Sequence, residues 1–259
     1  MNKETRYFIA NWKMHISRAN ASAFAQQLIH AMTSKDPKEG IPTSSKIIIL
    51  PSFPLIPELI ELLHSVGISV GAQDCSAHIT GPHTGQVSAT LLKELGCSYT
   101  IIGHSERRLE LHESPAIVSE KAARLLEQGI SPIISIGEDR DSYEHGETFH
   151  VLERQLYALL PVFGYSRCRA IQPLIAYEPI WAIGTKLVPT PTVLTNTFKW
   201  LKEHLEHHCP GQNIPLLYGG SVTDSNSADL LKIPLVNGLL IGGASNDFQT
   251  FKKIVSLTS

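Results

Sequence analysis

The feature of this sequence that most constrains its fold is an eightfold alternation of a short apolar run with a longer segment whose apolar residues recur at helical spacing. The short runs start at Tyr7, Lys46, Ser69, Tyr99, Ser131, Pro173, Ile214 and Val236. Most of them are continuously apolar, which is typical of parallel strands covered on both faces. A chain of 259 residues is about the length of one (β/α)8 barrel. We therefore predict the α/β class, with residues 1–259 forming a single (β/α)8-barrel domain.

The segments between these runs predict helices around the barrel. Val87, Leu91, Leu92 and Leu95 form the apolar stripe of one such helix. A threonine followed by proline at 190–191 has the pattern of a helix start. The alternative architecture, an open doubly wound sheet, would require a glycine-rich turn after the first strand, and NWKMHIS stands there instead.

Composition and charge exclude several classes of partner. The net charge is −2 and the pI is about 6.6, and no basic run could follow a nucleic-acid backbone. The sequence has neither the roughly 18 consecutive apolar residues of a membrane span nor the apolar stretch of a signal peptide. Cys75, Cys97, Cys168 and Cys209 are scattered, which argues against disulfides and against a zinc site. We expect a cytoplasmic protein with no nucleic-acid, membrane or metal partner.

Polar residues follow the predicted strands at the end where an eightfold barrel holds its active site. Asn11 and Lys13 follow the first strand, His104 and Glu106 the fourth, and Glu178 the sixth. A carboxylate, an imidazole, an ammonium and an amide at one mouth fit proton transfer next to a carbonyl group. Glu178 would be the base. The groups facing the carbonyl oxygen, where negative charge develops, would be Lys13, Asn11 and His104.

Two glycine pairs follow the last two strands and indicate an anionic ligand. They are Gly219 and Gly220 in YGGS, and Gly242 and Gly243 in IGGAS. In (β/α)8 barrels these loops often bind phosphate through backbone N–H groups and the N-terminus of a short helix. Glycine lets an anion approach the backbone closely. We expect the ligand to be a small phosphorylated sugar.

Six segments of the chain resemble the motifs of the triosephosphate isomerase family, in that family's order and at compatible spacings. They are ANWKM from Ala10, GAQDCSAH from Gly71, YTIIGHSERR from Tyr99, AYEPIWAIGT from Ala176, YGGSV from Tyr218 and GGAS from Gly242. The resemblance covers essentially the whole chain. It implies interconversion of dihydroxyacetone phosphate and D-glyceraldehyde 3-phosphate, a step of glycolysis and gluconeogenesis, without any cofactor.

The resemblance also implies a role for each polar residue at the mouth. It makes Glu178 the base, His104 the electrophile that shuttles a proton, and Glu106 a supporting residue. Lys13 and Asn11 complete the catalytic set. The implied phosphate contacts are Gly184, Ser221, Gly242 and Gly243.

The segment from Pro179 to Leu187 is expected to be a lid, with Trp181 in it, that closes over the site and excludes water. Lys186 stands where the resembled family usually has glycine, and Leu187 where it usually has lysine. We expect Lys186 to restrict the hinge because residues other than glycine avoid positive φ. The sequence therefore leaves the kinetics of closure open.

The long connection that begins at Gln73 and ends at Ser88 is, by the resemblance, inserted into a partner subunit, which implies a homodimer. Thr84 would then approach the partner's active site. Gln86 stands where glutamate is usual, so the family's ion pair with the partner's Arg107 would become a hydrogen bond.

Two other functions remain open on the sequence alone. Another phosphate-binding barrel enzyme, such as an aldolase, would keep the glycine pairs but would need a Schiff-base lysine or a metal cluster inside the barrel. A catalytically silent relative would keep the fold and lose the base or the histidine. The sequence also leaves open the effect of Ser135, where cysteine is usual, and the role of the surface loop from Thr33 to Ser45.

Overall fold

Eight strands pair in chain order, each parallel to the next, and form a closed barrel. The computed structural model describes residues 5–36, 39–42, 45–163, 171–185 and 187–258. The strands are β1 Arg6–Asn11, β2 Ser45–Leu50, β3 Ser69–Ala72, β4 Tyr99–Ile102, β5 Ser131–Ile136, β6 Leu174–Tyr177, β7 Leu216–Tyr218 and β8 Gly238–Ile241. The predicted (β/α)8 barrel and its eight strands are confirmed, and no strand start moves by more than two residues.

The barrel closes where β8 pairs with β1. The register runs from Tyr7 opposite Gly238 to Ala10 opposite Ile241. A Cβ at Gly238 would lie 2.1 Å from the carbonyl oxygen of Tyr7, so only glycine lets the two strands come together here. This glycine belongs to the seam of the barrel and is not near the mouth.

The core has two parts, which explains why the strands are apolar on both faces. One cluster fills the inside of the barrel and consists of Ile9, Ile48, Leu50, Ile101, Ile133, Leu174, Ala176, Leu217 and Leu240. A larger cluster lies between the outer face of the strands and the surrounding helices. Successive strand residues alternate between the two, as with Ile48 inside and Ile49 outside. Both faces are therefore shielded from water.

Helices follow the strands and cover the barrel. The described helices are α1 Arg18–Thr33, α2 Ile56–Leu63, α3 Ala89–Glu94, α4 Ser105–Glu110, α5 Pro115–Glu127, α6 Arg140–Glu144, α7 Thr148–Tyr157, α8 Leu160–Phe163, α9 Pro191–His208, α10 Ser227–Lys232 and α11 Phe248–Val255. Thr190 caps α9 as predicted, since its hydroxyl oxygen accepts a hydrogen bond from the amide of Val193 at 3.3 Å. None of the helices in the described ranges is both long and apolar enough to cross a membrane.

The stripe predicted for the helix after β3 is only partly buried. Leu92 is fully buried, whereas Leu91 is 50% exposed and Leu95 is 39% exposed. The helix is shorter than the stripe, running over Ala89–Glu94. The predicted helix is present, but its apolar residues do not all face the core. The spacing of apolar residues does not say which of them the barrel covers.

Candidate active site

The predicted polar and glycine residues come together in one cavity of about 500 Å³ at the carboxyl ends of the strands. The predicted residues that line it are Asn11, Lys13, His104, Glu178, Gly184, Gly219, Gly220, Ser221, Gly242 and Gly243. Glu106 does not line the cavity itself but binds Lys13, which does. Polar residues that follow strands far apart in the sequence thus lie around the same cavity.

Glu178 lines this cavity and is only 2% exposed. Its Oε1 is 3.4 Å from His104 Nε2, and its Oε2 accepts a weak hydrogen bond of 3.4 Å from the amide of Ser105. The backbone of Glu178 packs against Gly137, where a Cβ would lie 1.8 Å from its carbonyl oxygen. The carboxylate is therefore held in a buried position beside the imidazole of His104, where it can act on a group bound in the cavity.

The hydrogen bonds of His104 fix which ring nitrogen carries the proton. His104 occupies the N-cap position of α4, and its Nδ1 accepts a hydrogen bond of 3.3 Å from the amide of Glu106. A nitrogen that accepts a hydrogen bond carries no proton, so the ring proton is on Nε2. Nε2 is the atom that faces Glu178, and it can therefore donate to a group bound beside the two side chains in the cavity.

Lys13 and Glu106 form a close ion pair at the edge of the cavity, with 2.5 Å between Nζ and Oε1. Partial burial raises the pKa of the Glu106 carboxyl, but the hydrogen bond from Lys13 and the positive charge of Lys13 lower it, and the pKa lies below its usual value. Glu106 therefore stays a carboxylate. Asn11 is buried, and its Oδ1 accepts a hydrogen bond of 3.2 Å from the amide of Lys13.

The two glycine pairs differ in what they make room for. A Cβ at Gly219 would lie 2.7 Å from Cγ of Glu178, and one at Gly220 would lie 2.1 Å from the hydroxyl of Tyr218. By contrast, no atom lies within 4 Å of a Cβ at Gly243, and at Gly242 the nearest is Cε of Lys13 at 3.8 Å. All four glycines line the cavity, and the first pair also leaves room for the side chains of Glu178 and Tyr218.

The segment after Glu178 is held by contacts that the sequence did not reveal. Trp181 Nε1 donates to Oε1 of Glu138 at 2.9 Å, and the hydroxyl of Tyr177 donates to the same oxygen at 3.1 Å. Burial raises the pKa of Glu138. Ser221 donates to the carbonyl oxygen of Ala182 at 2.5 Å. Glu138 could have been suspected, because it is the first carboxylate after β5.

Part of the predicted lid can be described. Gly184 has a φ of +70°, which a residue with a side chain would rarely adopt. Leu187 is exposed. Lys186, the predicted hinge residue, lies outside the described residues.

Arg107 and Arg108 bind groups of their own chain beside the site. Arg107 pairs with Asp74 at 2.8 Å and with Glu113 at 2.7 Å, and Lys121 bridges the same two carboxylates. Arg108 donates to the carbonyl oxygens of Gly103 and Ser135. The hydroxyl of Ser135 has no hydrogen-bond partner among the described residues. Within the described ranges, no group of three or more His, Cys, Asp or Glu residues could hold a metal ion.

A closed parallel barrel with ionisable groups and glycine loops around one cavity defines this molecule as a (β/α)8-barrel enzyme. The model of the triosephosphate isomerase family matches residues 6–258. Triosephosphate isomerase of Thermus thermophilus is 39% identical over 95% of this chain and 96% of its own length. That of Vibrio sp. is 36% identical over 96% of both chains, and that of Acidiphilium cryptum is 39% identical over 95% of both. The chain therefore belongs to the triosephosphate isomerase family.

Proposed function

We propose that this chain interconverts dihydroxyacetone phosphate and D-glyceraldehyde 3-phosphate through an enediolate, without a cofactor. The observation that carries the proposal is the meeting of Glu178 Oε1 and His104 Nε2, 3.4 Å apart, in the cavity that Lys13 and the last glycine pair also line. In this arrangement a base and two electrophilic groups surround the space for a three-carbon substrate.

Glu178 is the proposed base. It removes a proton from the carbon next to the carbonyl group, and the electrons of that C–H bond move into the enediolate, whose negative charge rests on oxygen. The Nε2 proton of His104 and the ammonium of Lys13 stabilise that charge. His104 then passes its proton to one oxygen and recovers one from the other, and Glu178 returns its proton to the neighbouring carbon. The proton count is unchanged over the cycle.

Lys13, Asn11 and Glu106 support this step. The ion pair with Glu106 directs the Lys13 ammonium, and the side chain of Asn11 holds the Lys13 amide. The proposed phosphate contacts are Gly184, Ser221, Gly242 and Gly243. The last two are suited to this because a side chain at either position would face open space, and Gly243 begins the short 3₁₀ turn Gly243–Ser245. Ser221 would exchange its bond to the lid carbonyl for one to the phosphate.

The two alternative functions fit the cavity less well. A Schiff-base enzyme would need a lysine that reaches the cavity from inside the barrel, and among the described residues Lys13 is the one lysine that lines it. Lys13 lies at the mouth and is bound to Glu106. A silent relative would lack the base or the histidine, and this cavity holds both.

We also propose a homodimer formed through residues 73–88, located in the cytoplasm. The middle of this loop is exposed, including Thr84 and Ile79, and Met14 beside the site is 92% exposed. Large exposed apolar side chains next to an active site are typical of a surface that another subunit covers. Gln86 binds Ser76 within its own loop. The amide oxygen of Gln86 accepts that bond with one of its two lone pairs, so the hydrogen bond expected from the partner's Arg107 can form beside it.

A coupled assay with dihydroxyacetone phosphate, with and without a metal chelator, tests the reaction. Glu178→Gln should lower kcat by at least about 10³-fold, because no other carboxylate lines the cavity among the described residues. His104→Gln should lower it by about 10²-fold. Inorganic phosphate should inhibit the wild type and both variants to a similar degree. An active Glu178→Gln variant, within tenfold of wild type, would refute the assignment of the base.

A further inference from the structure

Lys13 holds a strained backbone conformation in the middle of the proposed site. Its φ is +50°, in the left-handed region that residues with a side chain rarely adopt. Such a conformation persists only where surrounding contacts enforce it. The next residue, Met14, is 92% exposed and cannot provide those contacts by packing. Hydrogen bonds hold the backbone of Lys13, beginning with its amide, which donates to Oδ1 of Asn11 at 3.2 Å.

Two side chains that follow neighbouring strands donate hydrogen bonds to the carbonyl oxygen of Lys13. The hydroxyl of Ser52, just after β2, donates to it at 2.9 Å, and Nε2 of Gln73, just after β3, donates to it at 2.8 Å. Gln73 also donates to the carbonyl oxygen of Leu50 at 2.9 Å. The Lys13 peptide is thus tied to the ends of two strands that belong to the rigid barrel.

Ser52 makes its hydrogen bond to Lys13 in place of the capping hydrogen bond that is usual at its position. It occupies the N-cap position of the 3₁₀ turn Phe53–Leu55, where a serine side chain usually accepts a hydrogen bond from the turn. Ser52 makes no such capping bond, and its hydroxyl points to Lys13 instead. We propose that Ser52 is a positioning residue, which holds the strained Lys13 peptide so that the ammonium stays at the mouth of the cavity. This inference rests on the proposed function for its kinetic consequence.

Kinetics of Ser52→Ala test the proposal. Losing one of two hydrogen bonds to the carbonyl should let the Lys13 ammonium drift, and a drifting charge weakens both the binding of the anionic substrate and the stabilisation of the enediolate. KM for dihydroxyacetone phosphate should rise about two- to fivefold, and kcat should fall by about the same factor. Ser52→Thr keeps the hydroxyl and should restore KM.

A matched control and a structure make the test decisive. Ser256→Ala also removes a hydroxyl bonded to a backbone carbonyl, that of Lys252 at 2.8 Å, but at the end of α11, and should leave KM unchanged. Crystal structures of Ser52→Ala should show Lys13 leaving positive φ or a longer contact between Nζ and Glu106. A wild-type KM with an unchanged Lys13 backbone overturns the proposal, as does a Ser52→Thr variant no better than alanine. If the wild type does not isomerise, the proposed function fails, and the crystal structures still decide the role of Ser52.

Discussion

Gly219→Ala should move the proposed base without changing it chemically. The new Cβ would lie 2.7 Å from Cγ of Glu178 and 3.3 Å from its Oε1. Non-bonded carbons approach to about 3.5–4.0 Å, so the Glu178 side chain must shift by about 1 Å. The rest of the residue cannot follow, because the Glu178 backbone is fixed against Gly137 and donates to the carbonyl oxygen of Ile136 at 2.7 Å.

The magnitude of the effect can be worked out from that shift. Displacing a catalytic group by about 1 Å costs about 10²-fold in rate, which corresponds to about 2.7 kcal/mol in the barrier. We therefore expect kcat to fall between about 30- and 100-fold. Overpacking should also lower the free energy of unfolding by about 1–3 kcal/mol, a loss that a large barrel can tolerate.

A double-mutant cycle with Glu178→Gln separates displacement of the base from other damage. In the glutamine background the base is already absent, so adding Gly219→Ala should lower the remaining kcat by less than about threefold. Steady-state kinetics on the four proteins, with urea unfolding of each, provide the data. If the full 30- to 100-fold loss persists in the glutamine background, Gly219 acts through the phosphate loop or the fold, and the reasoning is refuted.

Lys121→Met should lower the free energy of unfolding by about 3 kcal/mol, because it leaves the buried carboxylates of Asp74 and Glu113 with one cation fewer. Urea unfolding measures this, and Lys232→Met, at an exposed surface pair, should change stability by less than about 0.5 kcal/mol. A Lys121→Met protein as stable as the wild type would show that the ion pairs of Lys121 contribute nothing to the free energy of unfolding. Thr84→Arg should bury an unpaired charge at the proposed subunit contact, producing an almost inactive monomer at micromolar concentration in sedimentation and assay. A fully dimeric, fully active variant would count against this interface.

The sequence by itself determined the barrel fold and which polar residues lie at the carboxyl ends of its strands. The apolar runs define the strands because a strand covered on both faces must be apolar throughout, and this is a local property. In a closed parallel barrel, all the carboxyl ends lie at one rim. The first polar residues after separate strands, such as His104 and Glu178, must then come together whatever the details of packing.

Only the tertiary structure decided how those side chains are held. The contact with Glu178 gave Gly219 its role. Neither the carboxylate that holds Trp181 nor the hydroxyl that holds Lys13 belongs to a local pattern. The physical reason is distance along the chain: each of these contacts joins residues on different strands or loops, and a sequence pattern records only what neighbours along the chain require.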